Sequence, residues 1–435
     1  MRARPWAVIW RALASLSMIR PRTDGPVVSI NPNRLLQRLW DLAEIGPIPG
    51  GGNNRLALTD ADKAGRDLVV TWMRDLGLEV SIDSIGNVVA VQSGIGSGAP
   101  VMMGSHIDTV ATGGKYDGNL GVLAALEVIE TVIERGIDLQ RPLAAAFFTN
   151  EEGSRFPPDM MGSLCYTGGL TVEEAMATAD ADGATVGDEL DRIGYRGPMP
   201  CPGPAPYAFV ELHIEQGPVL ERDGVRIGAV TGVQGISWTE VNISGQSNHA
   251  GTTPMSMRRD AGLAAGELVV AVRRIAGDMG GTQVGTVGAL RLHPDLVNVV
   301  AARANLIVDL RNTDDDDLQA AERRLLSETK RIAEAEGVEI DTKWVARFEP
   351  VTFDPRVVDL VESTATALGL SVRRMPSGAG HDAQILAGVC PSGMVFVPSV
   401  NGISHNPAEH TEPDDLVAGA DVLANTVVAL ATEGV

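Results

Sequence analysis

Three strand-length apolar runs in this chain each meet histidines or carboxylates. Pro100–Met103 leads into Gly104-Ser105-His106-Ile107-Asp108, and Leu143–Thr149 leads into Asn150-Glu151-Glu152. Phe209–Glu215 carries Glu211, His213 and Glu215 at alternate positions. A long helical period over Leu120–Arg135 lies between the first two runs, and shorter strands are expected at Leu78–Ile82 and Gly86–Val91. Apolar strands separated by helices predict an α/β sheet covered on both faces. Open sheets of that kind bind ligands just beyond the carboxyl ends of their strands, which is where these polar residues fall.

Other elements fix the organisation. Asn31-Pro32 predicts an N-cap and first helical turn ahead of Leu35, Leu36 and Leu39. Thr59 with Asp62 resembles a capping box before Leu68, Val69, Trp72 and Met73, with Gly77 as the stop. From about Gly217 the texture changes. Strands are expected at Val225–Val230, Ser237–Ile243, Gly285–Arg291 and Asn298–Leu310, with helices over Met257–Ala276 and Asp315–Ala335. A strand-helix-strand-strand-helix-strand order predicts a small α+β domain on one antiparallel sheet. After Val338 the doubly wound pattern resumes and ends in a helix over Asp414–Ala431. The 435 residues are too many for one ordinary core. The expected division is a tail at residues 1–27, a catalytic domain at 28–216 and 337–435, and an inserted domain at 217–336.

A formal charge of −21 argues against a nucleic-acid surface, which needs clustered Lys and Arg. Asp314–Asp317 and Asp180–Asp182 read as solvated helix starts or loops. Cys165, Cys201 and Cys390 form no CxxC pair, so neither a disulfide framework nor a thiolate metal site is expected. Arg11 interrupts the apolar patch within Met1–Arg22, leaving too little for a signal segment, and translation is expected to start at Met18. No stretch is expected to supply the roughly 20 apolar residues of a membrane span. The default location is the cytoplasm, with no membrane partner.

The polar residues suggest a two-metal hydrolytic centre. His106 and Asp108, two apart at a strand end, are expected to point the same way, one ligating and the other buttressing the free ring nitrogen. A hydrogen-bonded loop histidine is an equal alternative. Asp117, within Lys115-Tyr116-Asp117-Gly118-Asn119, is by itself an ordinary turn residue. Adjacent Glu151 and Glu152 would face opposite ways on a strand, but a turn lets one bind metal and the other hold a water. His405 stands in Gly402-Ile-Ser-His405-Asn-Pro. In the inserted domain, His249 has no acidic neighbour and suits polarising a substrate carbonyl better than holding metal. Arg311, two after Asp309, could clamp a carboxylate or form a structural ion pair. His293 and His410 read as structural or surface residues.

Seven segments in order resemble the two-metal amidohydrolase and exopeptidase superfamily that includes aminoacylases and glutamate carboxypeptidases. They are Gly-Ser-His106-Ile-Asp108, Tyr-Asp117-Gly, Asn150-Glu-Glu152-Gly-Ser-Arg155-Phe, Glu211-Leu-His213-Ile-Glu-Gln216-Gly-Pro, His249-Ala-Gly-Thr-Thr-Pro, Ser377-Gly-Ala-Gly380-His381-Asp382-Ala and Gly402-Ile-Ser-His405. The resemblance covers nearly the whole chain after Asn31. It is narrowest to the ureido branch: N-carbamoyl-L-amino-acid hydrolases, β-ureidopropionases and allantoate amidohydrolases.

It implies two divalent metal ions, zinc or manganese with cobalt or nickel also suited. One would be held by His106, Asp117 and His213, the other by Asp117, Glu152 and His405. Glu151 would be the general base, with Asp108 beside it. His249 would stabilise the tetrahedral intermediate, and Gln216, Asn298, Arg311, Gly380 and His381 would hold a small ureido substrate. The inserted domain would be a ferredoxin-like lid that also makes a homodimer. His213 separates this branch from the peptidase branches, which use a carboxylate there. The segment Pro49-Gly-Gly-Gly-Asn-Asn-Arg55-Leu-Ala-Leu-Thr59 resembles carbamoylases more than allantoate enzymes. The rival expectations are an allantoate amidohydrolase, an aminoacylase or dipeptidase, and a metal-binding module without catalysis, against which Glu151 argues.

Overall fold

The computed structural model describes residues 27–94 and 96–432; the expectations for Met1–Arg22 and for a start at Met18 lie outside them. Asn31 caps α1 (Pro32–Ala43) by accepting from the Arg34 N–H, and Pro32 sits where no N–H is needed. Thr59 caps α2 (Asp60–Asp75) by accepting from the Asp62 N–H. The return arm of the expected box goes elsewhere: the Asp62 carboxylate accepts from the Leu58 N–H at 2.7 Å and pairs with Arg66 at 2.8 Å.

The chain continues through β1 (Glu79–Ile82), β2 (Val88–Val91), β3 (Val101–His106), α3 (Asn119–Arg135) and β4 (Leu143–Phe148). Three short helices follow, α4 (Met161–Thr167), α5 (Val172–Ala177) and α6 (Val186–Ile193), then β5 (Ala208–Ile214), α7 (Val219–Asp223) and β6 (Ile227–Val233). The inserted unit comprises β7 (Gly235–Ser244), α8 (Ala261–Met279), β8 (Val284–His293), β9 (Arg303–Asn312), α9 (Asp315–Glu336) and β10 (Glu339–Phe348). Last come β11 (Val351–Thr352), α10 (Pro355–Ala367), β12 (Val372–Ser377), α11 (Asp382–Leu386), β13 (Ser392–Val397) and α12 (Pro413–Thr432).

The large sheet runs β1-β2-β4-β3-β5-β13-β6-β11, with β12 also on β6. Its centre, β4-β3-β5-β13, is parallel and wholly buried. Helices α1, α3, α10 and α12 pack on one face, and α4 and α11 on the other, as the apolar strands require. The inserted unit is a four-stranded antiparallel sheet ordered β10-β7-β9-β8, with its own core from α8, α9 and the sheet.

Three expectations are corrected. The strand near Val225–Val230 belongs to the large sheet, because β6 pairs with β12 and β13. The insertion therefore begins at β7 rather than at residue 217. It ends after β10 rather than at 336, because β10 pairs with β7 along its whole length. Finally, α12, 20 residues long, does have the length and hydropathy of a membrane-spanning segment, with mean hydropathy 1.4 over an 18-residue window. That apolarity is spent on packing against α3, α10, β5 and β13, and eleven of its residues are buried.

Candidate metal centre

Four parallel strand ends converge. β3 ends on His106, the turn after β4 carries Glu151 and Glu152, β5 carries His213 next to its last residue, and the loop after β13 returns His405. His106 Nε2 lies 3.5 Å and His213 Nε2 3.1 Å from Asp117 Oδ1. His405 Nε2 lies 3.4 Å from the other oxygen, Asp117 Oδ2, and 3.3 Å from Glu152 Oε2. Ligand atoms of His106, Asp117 and His213 form one group within 4.8 Å, and those of Asp117, Glu152 and His405 form another. Asp117 thus belongs to both, one oxygen to each.

Local chemistry turns the ring nitrogens inward. His213 Nδ1 is 2.8 Å from the Ile214 carbonyl, which can only accept, so Nδ1 carries the proton and Nε2 keeps its lone pair. The Gly118 N–H points at that lone pair from 3.2 Å. His106 Nδ1 meets the Asp108 carbonyl at 2.9 Å. Gly118 has φ +65°, and a Cβ there would lie 2.4 Å from His106 Nε2, so only glycine lets the Asp117 turn come this close. Asn150, Gln216 and His405 also hold left-handed backbone, at φ 57°, 59° and 53°. Three such non-glycine residues around one cavity mark stored strain at a working site.

The expected buttress by the Asp108 carboxylate is corrected. β3 stops at His106, so alternation no longer applies two residues on, and the backbone carbonyl of Asp108 takes the ring nitrogen instead. Its carboxylate accepts from the N–H groups of Glu151 at 3.2 Å and Glu152 at 3.3 Å. That turn splits the two glutamates as expected: Glu151 Oε2 lies 3.3 Å from His106 Nε2, while Glu152 faces His405.

A divalent cation pair fits this donor set. Among the described residues no Lys or Arg comes within ion-pair distance of Asp108, Asp117, Glu151 or Glu152; only histidines do. Burial, and then the neighbouring carboxylates, push Glu151 well above its ordinary value, and burial with Asp117 pushes Glu152 up to about 7. Hydrogen bonding to Asp117 raises His405 to about 9. Burial alone would raise Asp117, but His106, His213 and His405 hold it well below the carboxylate range. Protons stand where cations would relieve the same crowding of charge.

Gln216 Nε2 donates to Asp117 Oδ2 at 2.8 Å, and Asp159, Gln216, Gly380, His381 and His405 line the cavity with the carboxylates. His381 Nε2 is 2.8 Å from Ser377 Oγ, and burial with the nearby His213 ring holds it well below its ordinary value, hence neutral. Asp382 is fully buried, and neither of its oxygens has a hydrogen-bond partner among the described residues. Burial and Glu211 push it up to about 8. Glu211 and Glu215, grouped with His213 by alternation, are structural. Glu211 accepts from Ser105 Oγ and the Ala383 N–H, and Glu215 from the Val219 and Leu220 N–H groups.

The lid residues are not in this cavity. His249 and Asn298 lie side by side, the Ala250 N–H donating to the Asn298 carbonyl at 2.9 Å, and both are exposed. Arg311 pairs with Asp309 at 2.9 Å and donates to the Gly378 carbonyl at 2.8 Å. Sequence reasoning missed Glu409. Its Oε1 accepts from the Tyr116 and Asp117 N–H groups at 3.0 and 3.2 Å, and its Oε2 from Ser404 Oγ at 3.0 Å. It clasps the His405 loop to the Asp117 turn; its only sequence signal is its place four residues after His405.

Residues 102–429 match the model of peptidase family M20/M25/M40. The chain belongs to that family. Within it, the chain is 41% identical over 403 residues to an N-carbamoyl-L-amino-acid amidohydrolase of Rhizobium meliloti, covering 92% of this chain and 97% of the relative. It is 34% identical to a ureidoglycolate hydrolase of Arabidopsis thaliana, covering 93% and 88%. A solved M20-type structure, an amidase of the hydantoinase/carbamoylase family from Burkholderia multivorans, superposes with a TM-score of 0.92 at 44% identity, covering 94% of this chain and all of that one.

Proposed function

We propose that this M20-family chain is a two-metal amidohydrolase that removes the terminal carbamoyl group of N-carbamoyl-L-amino acids or N-carbamoyl-β-alanine. The observation that carries the reading is Asp117, whose two oxygens face two separate ligand groups, with His213 completing the first. The N-carbamoyl-L-amino-acid amidohydrolases among its relatives support the ureido substrate class.

Zinc or manganese, with cobalt or nickel also suited, would supply Lewis acidity and bring the pKa of a water down to about 7. The residues do the rest. Glu151 has no ligand role and faces the gap between the two groups, so it takes the water's proton and passes it to the leaving nitrogen. Asp108 holds the Glu151–Glu152 turn through both N–H groups, and Gln216, Gly380 and His381 orient the ureido end. Attack by water at the carbamoyl carbon breaks one of its C–N bonds, and loss of carbon dioxide from the resulting carbamic acid breaks the other, leaving the amino acid and ammonia.

His249, Asn298 and Arg311 complete the site from a lid, stabilising the oxyanion and holding the substrate carboxylate. Arg311 already reaches the Gly378 carbonyl beside the cavity, whereas His249 and Asn298 do not line it within one chain, which favours a homodimer in which one lid serves the other subunit. Edge strand β8 supports this: its outer side is unpaired, and Val284, Leu290 and Leu292 are exposed. Free Cys165, Cys201 and Cys390 suit the cytoplasm.

The second reading, a ureidoglycolate- or allantoate-type hydrolase, is favoured by the Arabidopsis relative. Ammonia release from N-carbamoyl-β-alanine, N-carbamoyl-L-methionine and allantoate, measured in parallel on manganese- or zinc-loaded protein, separates the two. Turnover of allantoate alone would overturn the carbamoyl reading.

A further inference from the structure

Arg55 is among the largest fully buried side chains of the molecule, and among the described residues no carboxylate lies within ion-pair distance of it. Burial lowers it only to about 10, so it remains a cation at neutral pH. A buried guanidinium without a counter-ion is costly unless its N–H groups are satisfied. Here they are met by neutral oxygens. Nε donates to the Ile107 carbonyl at 2.7 Å, Nη1 to the carbonyls of Leu42 and Ile45 at 3.2 and 2.9 Å, and Nη2 to Asn119 Oδ1 at 2.8 Å. Leu42 is in the last turn of α1 and Ile45 just beyond it, where the helix's free carbonyls carry partial negative charge. The backbone of Arg55 adds two bonds, its N–H to Thr109 Oγ1 at 2.8 Å and its carbonyl to the Thr109 N–H at 3.0 Å. Space for the side chain comes from Gly65 on α2, where a Cβ would lie 2.9 Å from Arg55 Cδ.

The acceptors are placed suggestively. Ile107 is the single residue between His106 and Asp108, and Asn119 is two beyond Asp117. One rigid fork therefore joins the end of β3 to the start of α3, the two segments that present His106, Asp108 and Asp117. Packing alone would need only an apolar side chain; joining these peptides needs donors at fixed angles.

We infer that Arg55 is a positioning residue for the metal centre, setting the separation of His106, Asp108 and Asp117 through the Ile107 carbonyl and Asn119. The inference rests on the reading of those residues as a metal centre. Arg55 acts as a shape rather than as a charge, so Arg55→Lys, which keeps the charge and loses the fork, is the informative variant. Asn119→Ala cuts the arm toward Asp117, together with the bond that Asn119 Nδ2 makes to the Lys115 carbonyl at 3.2 Å, and leaves the buried cation in place.

The test is a chelator-competition titration of manganese and zinc on full-length wild-type, Arg55→Lys and Asn119→Ala proteins. It is read with the melting temperature of each apoprotein and with kcat and KM. Arg55→Lys is expected to weaken metal binding by about tenfold or more, and Asn119→Ala by a smaller factor of the same sign, as outer-shell changes do. kcat should fall at saturating metal while KM stays within a few-fold. A lowered melting temperature with unchanged metal affinity and unchanged kcat of the folded fraction would make Arg55 merely structural and overturn the inference. If Arg55→Lys does not fold, Asn119→Ala decides by the same criterion. Wild-type protein that binds no divalent cation would overturn the metal-centre reading itself, an outcome distinct from two wild-type metals bound equally well by the variants.

Discussion

The two halves of the candidate site are built in opposite ways. Around Asp117, the side chains of His106, His213 and Asp108 are almost fully buried and fixed by nearby backbone groups, the histidines by carbonyls of their own segments and Asp108 by the N–H groups of the Glu151–Glu152 turn. On the inserted unit, His249 and Asn298 sit exposed on loops, and Arg311 is occupied by Asp309. A centre that must hold charge at fixed spacing is placed where the parallel sheet leaves no slack. The groups proposed to reach a substrate after it enters are placed on a separate body joined by short connections. The teaching is that rigidity and reach are assigned to different domains.

The sharpest test within the buried half is Glu151→Gln. It should leave metal content intact and lower kcat by about 10²–10⁴-fold, checked by metal analysis beside steady-state kinetics; unchanged turnover would remove the proton-transfer role. In the lid, His249→Ala should cost about 10²-fold in kcat with metal affinity unchanged. If the lid serves a partner, specific activity should also fall on dilution into the monomer range. A His249→Ala enzyme that loses metal instead would erase the division between the halves.

Protons sharpen the same contrast. Glu152 near 7 and His405 near 9 hold protons that a metal must displace, while Asp117, held well below the carboxylate range, holds none. Metal affinity at the Glu152–His405 group should therefore rise with pH up to about 9, with about one proton released, close to tenfold per unit, between about 7 and 9, and a second below about 7, where Glu152 is protonated too. Isothermal titration in buffers of different ionisation enthalpy counts those protons, and a flat profile would contradict the assignment. The smallest expected effect is at Asp309→Asn, which frees Arg311. KM should change by roughly two- to threefold, in keeping with a partly exposed pair; a change in melting temperature alone would leave Arg311 structural.

Much of the buried half was legible because short apolar strands place their ends predictably, and five residues of the centre, His106, Asp108, Glu151, Glu152 and His213, lie at those ends or a short turn beyond. What was not legible depended on partners far away in sequence. The run Ile227–Val233 reads the same in either sheet, and only its pairing with Met394–Phe396 and Val372–Ser377 puts it in the large one. The Glu339–Phe348 strand was assigned to the returning domain for the same reason. Asp108 was misread because alternation was carried past the last strand residue, where the chain turns. Glu409 went unseen because a lone loop carboxylate carries no pattern; its meaning lies in the Tyr116 and Asp117 N–H groups it meets.

The parallel pairing of β5 with β13 has a consequence for how the protein is made. Residues 208–214 wait for residues 392–397 as their neighbour, and the whole inserted unit is synthesised in between. A growing chain exposes the edge of β5, with His213 already in place, until residues 392–397 leave the ribosome. His405 arrives only then. The inserted unit, whose strands and helices are contiguous, can form beforehand, whereas the second candidate ligand group is completed only with His405. Chains cut short after the lid would carry an open sheet edge and half a cation site, a species suited to chaperone capture and to removal by proteases.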